Sequence, residues 1–196
     1  MTFKDRLEAG RLLAERLEDW RGREGLLVLG IPRGGVVVAH EIANNLQAPL
    51  DLYITRKIGA PQNPELAIGA VASDGTRVVD ETLLQTLGVS ESYLEEESER
   101  QREEIARRME AYRGDSKAPG LKGRPVILVD DGIATGATTG ATIEALRKAG
   151  PSELVLAVPV GPRETLERLE PKVDTLICLH RPRTFWAVGS FYLNFE

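Results

Sequence analysis

The chain has 196 residues, enough for one domain with a sizeable core, and its 42% hydrophobic and 28% charged content is ordinary for a globular fold. A net charge of −5 excludes the broadly basic balance of a nucleic-acid or anionic-membrane binder, so any anion site has to be local. Cys178, the single cysteine, cannot close an internal disulfide, no run approaches the roughly 20 apolar residues of a membrane span, and Lys4, Asp5, Arg6, Glu8 and Arg11 stand where a signal peptide would be apolar.

Phe3, Leu7, Ala14, Leu17 and Trp20 recur at helical spacing and predict an amphipathic N-terminal helix, ended by Gly22 and Gly25. A short apolar strand at 26–29 leads into the turn Gly30-Ile31-Pro32-Arg33-Gly34-Gly35, a helix over 36–46 and a strand over 50–55. That is the strand–turn–helix–strand unit of parallel α/β structure. Residues 66–72 and 76–79 read as strands joined across Ser73-Asp74-Gly75, a hairpin signal, with a short helix over 80–87. The stretch 90–113 is a charged helix with Glu→Arg pairs four apart, Ser92 and Glu95 spaced as a capping box, and a thin apolar stripe of Leu94, Ile105, Met109 and Tyr112. It reads as an exposed arm, with a partner-binding helix as the alternative. A loop over 114–123 follows. Alternation then resumes, with strands at 125–129, 154–160 and 173–179 (the last carrying Cys178) and helices at 139–149 and 162–169. The tail over 181–196 is irregular and aromatic.

The chemistry concentrates in Val126-Ile127-Leu128-Val129-Asp130-Asp131-Gly132-Ile133-Ala134-Thr135-Gly136-Ala137-Thr138. Four apolar residues make a buried strand, and two adjacent carboxylates stand at its carboxyl end, where open α/β sheets bind ligands. A small-residue loop then opens a helix, whose free N–H groups and dipole favour a phosphate. Thr135 and Thr138 add hydroxyls, Gly136 permits close approach of the backbone, and ionised Asp130 and Asp131 suit the hydroxyls of a ribose. Neither G-x-x-x-x-G-K-[ST] nor G-x-G-x-x-G occurs.

This run resembles the phosphoribosyl pyrophosphate (PRPP) signature of the type I phosphoribosyltransferases. The resemblance extends over about 25–180 and implies a doubly wound, mostly parallel α/β sheet. It further implies a single domain over 1–196, with an insertion at about 59–115 and a small hood built from 1–22 and 181–196. It implies transfer of 5-phosphoribosyl from PRPP to a nitrogen acceptor, a nucleobase in the first instance, with pyrophosphate released and Mg²⁺ required. A PRPP-binding regulator with little or no catalysis is the alternative.

In that family Asp130 and Asp131 hold ribose hydroxyls, and Ala134, Thr135, Gly136, Ala137 and Thr138 cradle the 5′-phosphate. The turn with Arg33 and Gly34 takes the pyrophosphate. Arg56, Lys57 and 59–64 fit the beginning of a mobile loop or hairpin that covers the site, and Arg56 and Lys57 could steady the departing pyrophosphate. Asp130, Asp131 and Arg33 are the expected catalytic residues, with Mg²⁺ reached through PRPP and waters beside the two carboxylates rather than by direct ligands. Family members for 6-oxopurines carry a third acid where this chain has Ala134. Phe185 and Trp186 in the tail are candidates to stack on the acceptor. The expected setting is cytoplasmic, without nucleic-acid or membrane partners, and a homo-oligomer stays open.

Overall fold

In the computed structural model, which describes residues 1–114 and 118–196, the apolar runs at 27–30, 125–129, 153–160 and 175–180 become strands of one sheet, and the run at 66–72 joins a second. The elements in chain order are α1 (Arg6–Arg16), β1 (Leu27–Gly30), α2 (Gly34–Leu46), β2 (Leu50–Leu52), β3 (Thr55–Ala60), β4 (Asn63–Ala72), β5 (Arg77–Val79), α3 (Glu81–Leu87) and α4 (Glu91–Arg113), then β6 (Pro125–Val129), α5 (Ala137–Ala149), β7 (Glu153–Val160), α6 (Arg163–Leu169) and β8 (Thr175–His180). The main sheet runs β2-β1-β6-β7-β8 with every pairing parallel.

Side chains alternate across this sheet, as the two-residue strand period requires. Val126 and Leu128 of β6 pack with Ile143 and Leu146 of α5 and Leu166 and Leu169 of α6. Ile127 and Val129 face the other way, onto Leu13 of α1, Leu17 just after it, and Val38 and Ile42 of α2. Both faces are covered, which is the doubly wound arrangement expected. The chain leaves β1 toward the β2 edge and returns on the other side as β6. The crevice between the carboxyl ends of β1 and β6 is therefore the topological switch point, where α/β sheets bind ligands.

The insertion is a second layer with its own apolar cluster. β3, β4 and β5 form an antiparallel sheet, and Ile54, Ile58, Ile68 and Val71 pack there against Leu94 and Ile105 of α4. Two expectations are corrected. The predicted strand 50–55 divides: the Tyr53 N–H makes the last rung to β1, donating to the Gly30 carbonyl at 3.1 Å, and from Ile54, whose carbonyl accepts from the Ser73 N–H at 2.8 Å, the chain joins the second sheet. The second sheet consequently begins at Thr55, and 59–64 is the tight end of the β3–β4 hairpin. The cap of α4 is Ser90, whose Oγ accepts from the Tyr93 N–H at 3.1 Å, and not Ser92, which lies inside the helix. The middle of the expected loop, 115–117, lies outside the described residues.

The arm is thus apolar on one side and seated on the hairpin. Ile68 is fully buried in that small cluster. Ile68→Ala is expected to lower unfolding stability by about 2–4 kcal/mol, the range for deleting a buried aliphatic side chain. Chemical denaturation followed by circular dichroism reads it, and a change below about 1 kcal/mol would show that the hairpin is not packed as described.

The two termini meet. Phe3 bridges Tyr192 as an isolated parallel pair, the Leu193 N–H donates to the Phe3 carbonyl at 2.8 Å, and Phe3, Ala9, Val160 and Tyr192 form a small core with Phe185, Val188 and Phe191 against it. No helix among the described residues is long and apolar enough to cross a membrane.

Candidate active site at the switch point

Two turns meet at the crevice. The Ile31 N–H donates to the Val129 carbonyl at 2.9 Å, which ties the start of the 30–35 turn to the end of β6. A side chain at Gly35 would lie 2.8 Å from the Val129 carbonyl oxygen and 2.9 Å from the Asp130 Cα, so only a hydrogen fits there. At Gly34 a Cβ would overlap Asp131 Oδ2 outright. The two glycines let the first turn lie directly on the acid pair. The Pro32–Arg33 peptide in this turn is cis.

Asp130 and Asp131 are part-buried and differ in their surroundings. Asp130 Oδ1 accepts from the Asp131 N–H at 2.9 Å. Burial first, and then the neighbouring Asp131 charge, push the Asp130 carboxyl well above the usual carboxylate range. Asp131 is paired: Arg6 Nε donates to its Oδ2 at 2.8 Å, with 15% of each side chain exposed. The Tyr192 hydroxyl donates to the Asp131 carbonyl at 2.6 Å, and burial pushes that phenol up. Arg6 also donates to the Phe195 carbonyl at 2.8 Å and lies over the Phe195 ring at 3.9 Å. One arginine of α1 therefore joins the acid pair to the C-terminal tail.

The loop after the acid pair is held from below. Thr165 Oγ1 donates to the Ala134 carbonyl at 3.0 Å and Arg168 Nη2 to the Thr135 carbonyl at 2.5 Å. Ala134, Thr135, Ala137 and Thr138 are exposed. Asp5, Asp80 and Ser90 cap α1, α3 and α4 with side-chain oxygens, whereas α2 and α5, which start at the crevice, have no side-chain cap, and neither has α6. Of the first-turn N–H groups of α5, that of Ala137 reaches Thr135 Oγ1 at a long 3.4 Å, and this helix start beside Thr135 and Thr138 is a suitable place for an anion. Gly136 has a structural reason beside the one expected. Its φ is +77° and a Cβ would lie 2.6 Å from the Thr165 methyl, so this glycine serves the turn and its packing on α6.

A cleft of about 540 Å³ lies between the 30–35 turn, the start of β3, the N-terminus of α5 and the C-terminal half of α4; Arg33, Arg56, Arg108, Tyr112 and Thr138 are among its lining residues. Arg56 is steadied by Gln101 Oε1, which accepts from its Nε at 2.7 Å. Lys57 is corrected. Adjacent strand residues face opposite ways, and the Lys57 ammonium pairs with Glu65 Oε2 at 2.8 Å, so Lys57 does not share the cleft with Arg56.

In the tail, Val188 packs where a Gly132 side chain would stand, immediately after the acid pair. Phe185 is part of the small terminal core and stacks on Phe191 at 5.3 Å. Trp186 is 87% exposed. Leu7 is exposed and Trp20 packs against the main sheet, so of the N-terminal apolar residues it is Phe3 that meets the tail aromatics. Sequence reasoning missed Arg6, Arg108, Thr165 and Tyr192. They come from α1, α4, α6 and the tail, and no local pattern marks a residue that acts 125 positions away, as Arg6 does on Asp131.

Comparison with known proteins identifies the family. A family model described as the phosphoribosyl transferase domain matches residues 4–196. The chain is 44% identical over 194 residues to Rv0571c of Mycobacterium tuberculosis, which is named provisionally as a phosphoribosyl transferase. That match takes in 98% of this chain and 43% of the relative, so the chain spans less than half the relative's length. The Bifunctional protein PyrR of Leifsonia xyli is 32% identical over 158 residues, 79% of this chain and 69% of that protein. The crystal structure of TT1426 from Thermus thermophilus superposes with a TM-score of 0.89 at 46% identity, covering 100% of this chain and 92% of that one.

Proposed function

The chain belongs to the phosphoribosyl transferase domain family, and from that premise we propose that it transfers the 5-phosphoribosyl group of PRPP to a nitrogen acceptor with release of pyrophosphate. The observation that carries this reading is the meeting, at one switch point, of an acid pair, a glycine turn packed on it, and a helix N-terminus with no side-chain cap. Each suits one part of PRPP: the ribose hydroxyls, the pyrophosphate and the 5′-phosphate.

In the reaction the C1–oxygen bond breaks with its electron pair leaving on pyrophosphate. The acceptor nitrogen forms its bond to C1 from the opposite face and then loses a proton. The transition state has oxocarbenium character, so the protein acts chiefly by positioning and by stabilising charge. Asp130 and Asp131 orient the ribose through hydrogen bonds from its hydroxyls. Exposed Thr135 and Thr138 and the N–H groups of Ala134–Thr138 hold the 5′-phosphate. Arg33, Arg56 and the Gly34 N–H receive the pyrophosphate. Ala134 offers no carboxylate to a base, which argues against 6-oxopurine chemistry from this loop. Trp186, its ring open to solvent on the tail that packs against Gly132, is the better placed of the two tail aromatics to stack on an acceptor, since Phe185 is spent on Phe191.

The donor set fits Mg²⁺ of a particular kind. Among the described residues there is no cluster of three or more metal-ligating side chains. The hard oxygens at hand are those of Asp130 and Asp131, two of which are already engaged by the Asp131 N–H and Arg6. That suits a cation brought in on the pyrophosphate with most of its own waters, steadied by the two carboxylates and not enclosed by them. When bound it would neutralise charge on the leaving group.

A PRPP-binding regulator is the second reading. It draws support from a relative that is bifunctional by name and from the Mycobacterium relative, whose length leaves room for another function. One experiment separates the two. The chain is incubated with PRPP and Mg²⁺ against purines, pyrimidines and amines while pyrophosphate release is followed. Acceptor-dependent release is expected. Tight PRPP binding with no release for any acceptor would favour the regulator, and failure to bind PRPP would end both.

A further inference from the structure

Of the cleft's lining residues, two come from an element that the PRPP signature does not include. Arg108 and Tyr112 lie one turn apart on α4 and line the same cleft as Arg33, Arg56 and Thr138. No carboxylate lines it, although the chain as a whole is acidic. Three guanidinium groups facing one polar space, with no acid among the lining residues, make a local site for a multiply charged anion.

The positions of these groups are fixed by the surrounding packing. Ile105 buries α4 on the hairpin sheet, and at the helix end Arg113 Nη2 donates to Asp51 Oδ1 at 2.5 Å, with both side chains largely buried at 13% and 14% exposed. Arg108 sits between these two anchors. Glu104 Oε1 accepts from Arg108 Nε at 2.9 Å, which orients the guanidinium through one edge and leaves its terminal amino groups for another acceptor. Gln101 does the same for Arg56 from one turn earlier on the same helix. The Glu104 carboxyl is held below its usual range, first by the Arg108 hydrogen bond, with the charges of Arg107, Arg108 and Arg56 contributing. One face of α4 therefore presents Arg108 and braces Arg56.

We propose that α4 is a working part of the site, and that Arg108, with Arg33 and Arg56, binds the pyrophosphate end of the substrate while Gln101 and Glu104 position the two arginines. The proposal rests on the PRPP reading and adds to it a residue from the inserted helix. A cluster supplied within one chain would need no partner subunit to complete the leaving-group site.

Calorimetric titration with inorganic pyrophosphate, PRPP and ribose 5-phosphate, each with Mg²⁺, tests it on the full chain. Arg108→Gln is expected to weaken pyrophosphate and PRPP by roughly ten-fold or more, the loss of one charge-assisted hydrogen-bonding group. It should leave ribose 5-phosphate unchanged, because that ligand lacks the pyrophosphate. Arg108→Lys should recover part of the loss, and Gln101→Ala should weaken the same two ligands more mildly through Arg56. Unchanged PRPP affinity in Arg108→Gln, with the wild type binding normally, would overturn the assignment. So would an equal loss for all three ligands, which would mean a structural role. A wild-type chain that binds neither PRPP nor pyrophosphate would instead remove the reading beneath it.

Discussion

Replacing both Asp130 and Asp131 by Asn is expected to lower PRPP affinity and turnover by about two to four powers of ten without unfolding the chain. Two hydrogen bonds from ribose hydroxyls to charged acceptors are worth roughly 1.5–3 kcal/mol each, which gives that range. The chain survives because the pair stands at a strand end and not in an apolar cluster. The single variants divide the effect informatively. Burial and the neighbouring charge hold the Asp130 carboxyl above its ordinary value. Between that ordinary value, near 4, and the raised folded value, the native chain keeps a proton that the unfolded chain has lost. Stability therefore falls as pH rises through that window and stays lower above it. Asp130→Asn removes this penalty, so its thermal midpoint should exceed the wild type's at pH 7 and converge with it below about pH 4. Asp131→Asn should show no such gain, because it weakens the pair with Arg6. A double variant with wild-type PRPP affinity would show that the ribose does not bind here, and an Asp130→Asn chain that melts lower at pH 7 would show that the carboxylate has a structural partner.

The second large effect is a contrast between neighbouring glycines. At Gly34 the atom in the way of a Cβ is Asp131 Oδ2, the end of a side chain that can rotate, with Arg6 Nε behind it at 2.8 Å. Gly34→Ala should therefore be accommodated by rotation of Asp131, at the cost of its pair with Arg6. PRPP affinity is expected to fall by roughly ten-fold or more, about the worth of one charged hydrogen bond, with a smaller loss of melting temperature than Gly35→Ala. At Gly35 the obstacles are the Val129 carbonyl and the Asp130 Cα, which are main chain and cannot yield without moving β6. Gly35→Ala should cost about 1–3 kcal/mol, the usual penalty for overpacking, as well as losing PRPP. Calorimetry and thermal unfolding on the same samples read both. Equal stability losses in the two variants would mean that Asp131 is less free to move than the argument requires.

The sequence by itself determined the main sheet and the position of the acid pair. The runs 26–29, 125–129 and 154–160 are apolar beyond what an exposed strand would carry, so they had to become central parallel strands, with the half-buried run 173–179 forming the edge strand β8, and whatever followed them had to lie at one end of the sheet. The hairpin was legible from Ser73-Asp74-Gly75, since turn chemistry is local. Tertiary structure decided everything that depends on which distant backbone comes close. Whether Lys57 or Arg56 faces the cleft followed from the sheet that β3 joined, because a strand's register fixes the side of each residue and nothing in 50–60 announces the change of sheet. Gly34 and Gly136 were recognisable as permissive residues, but what each avoids, Asp131 in one case and Thr165 in the other, lies on another element. The arm at α4 read as solvated because its apolar stripe is thin. Three buried contacts suffice to seat a helix on a small sheet, and its charges then become a wall of the cleft. Arg6 is the limiting case. It is one arginine among nineteen, and only the return of α1 across the sheet brings it to Asp131, for a pairing made through space carries no trace in local sequence.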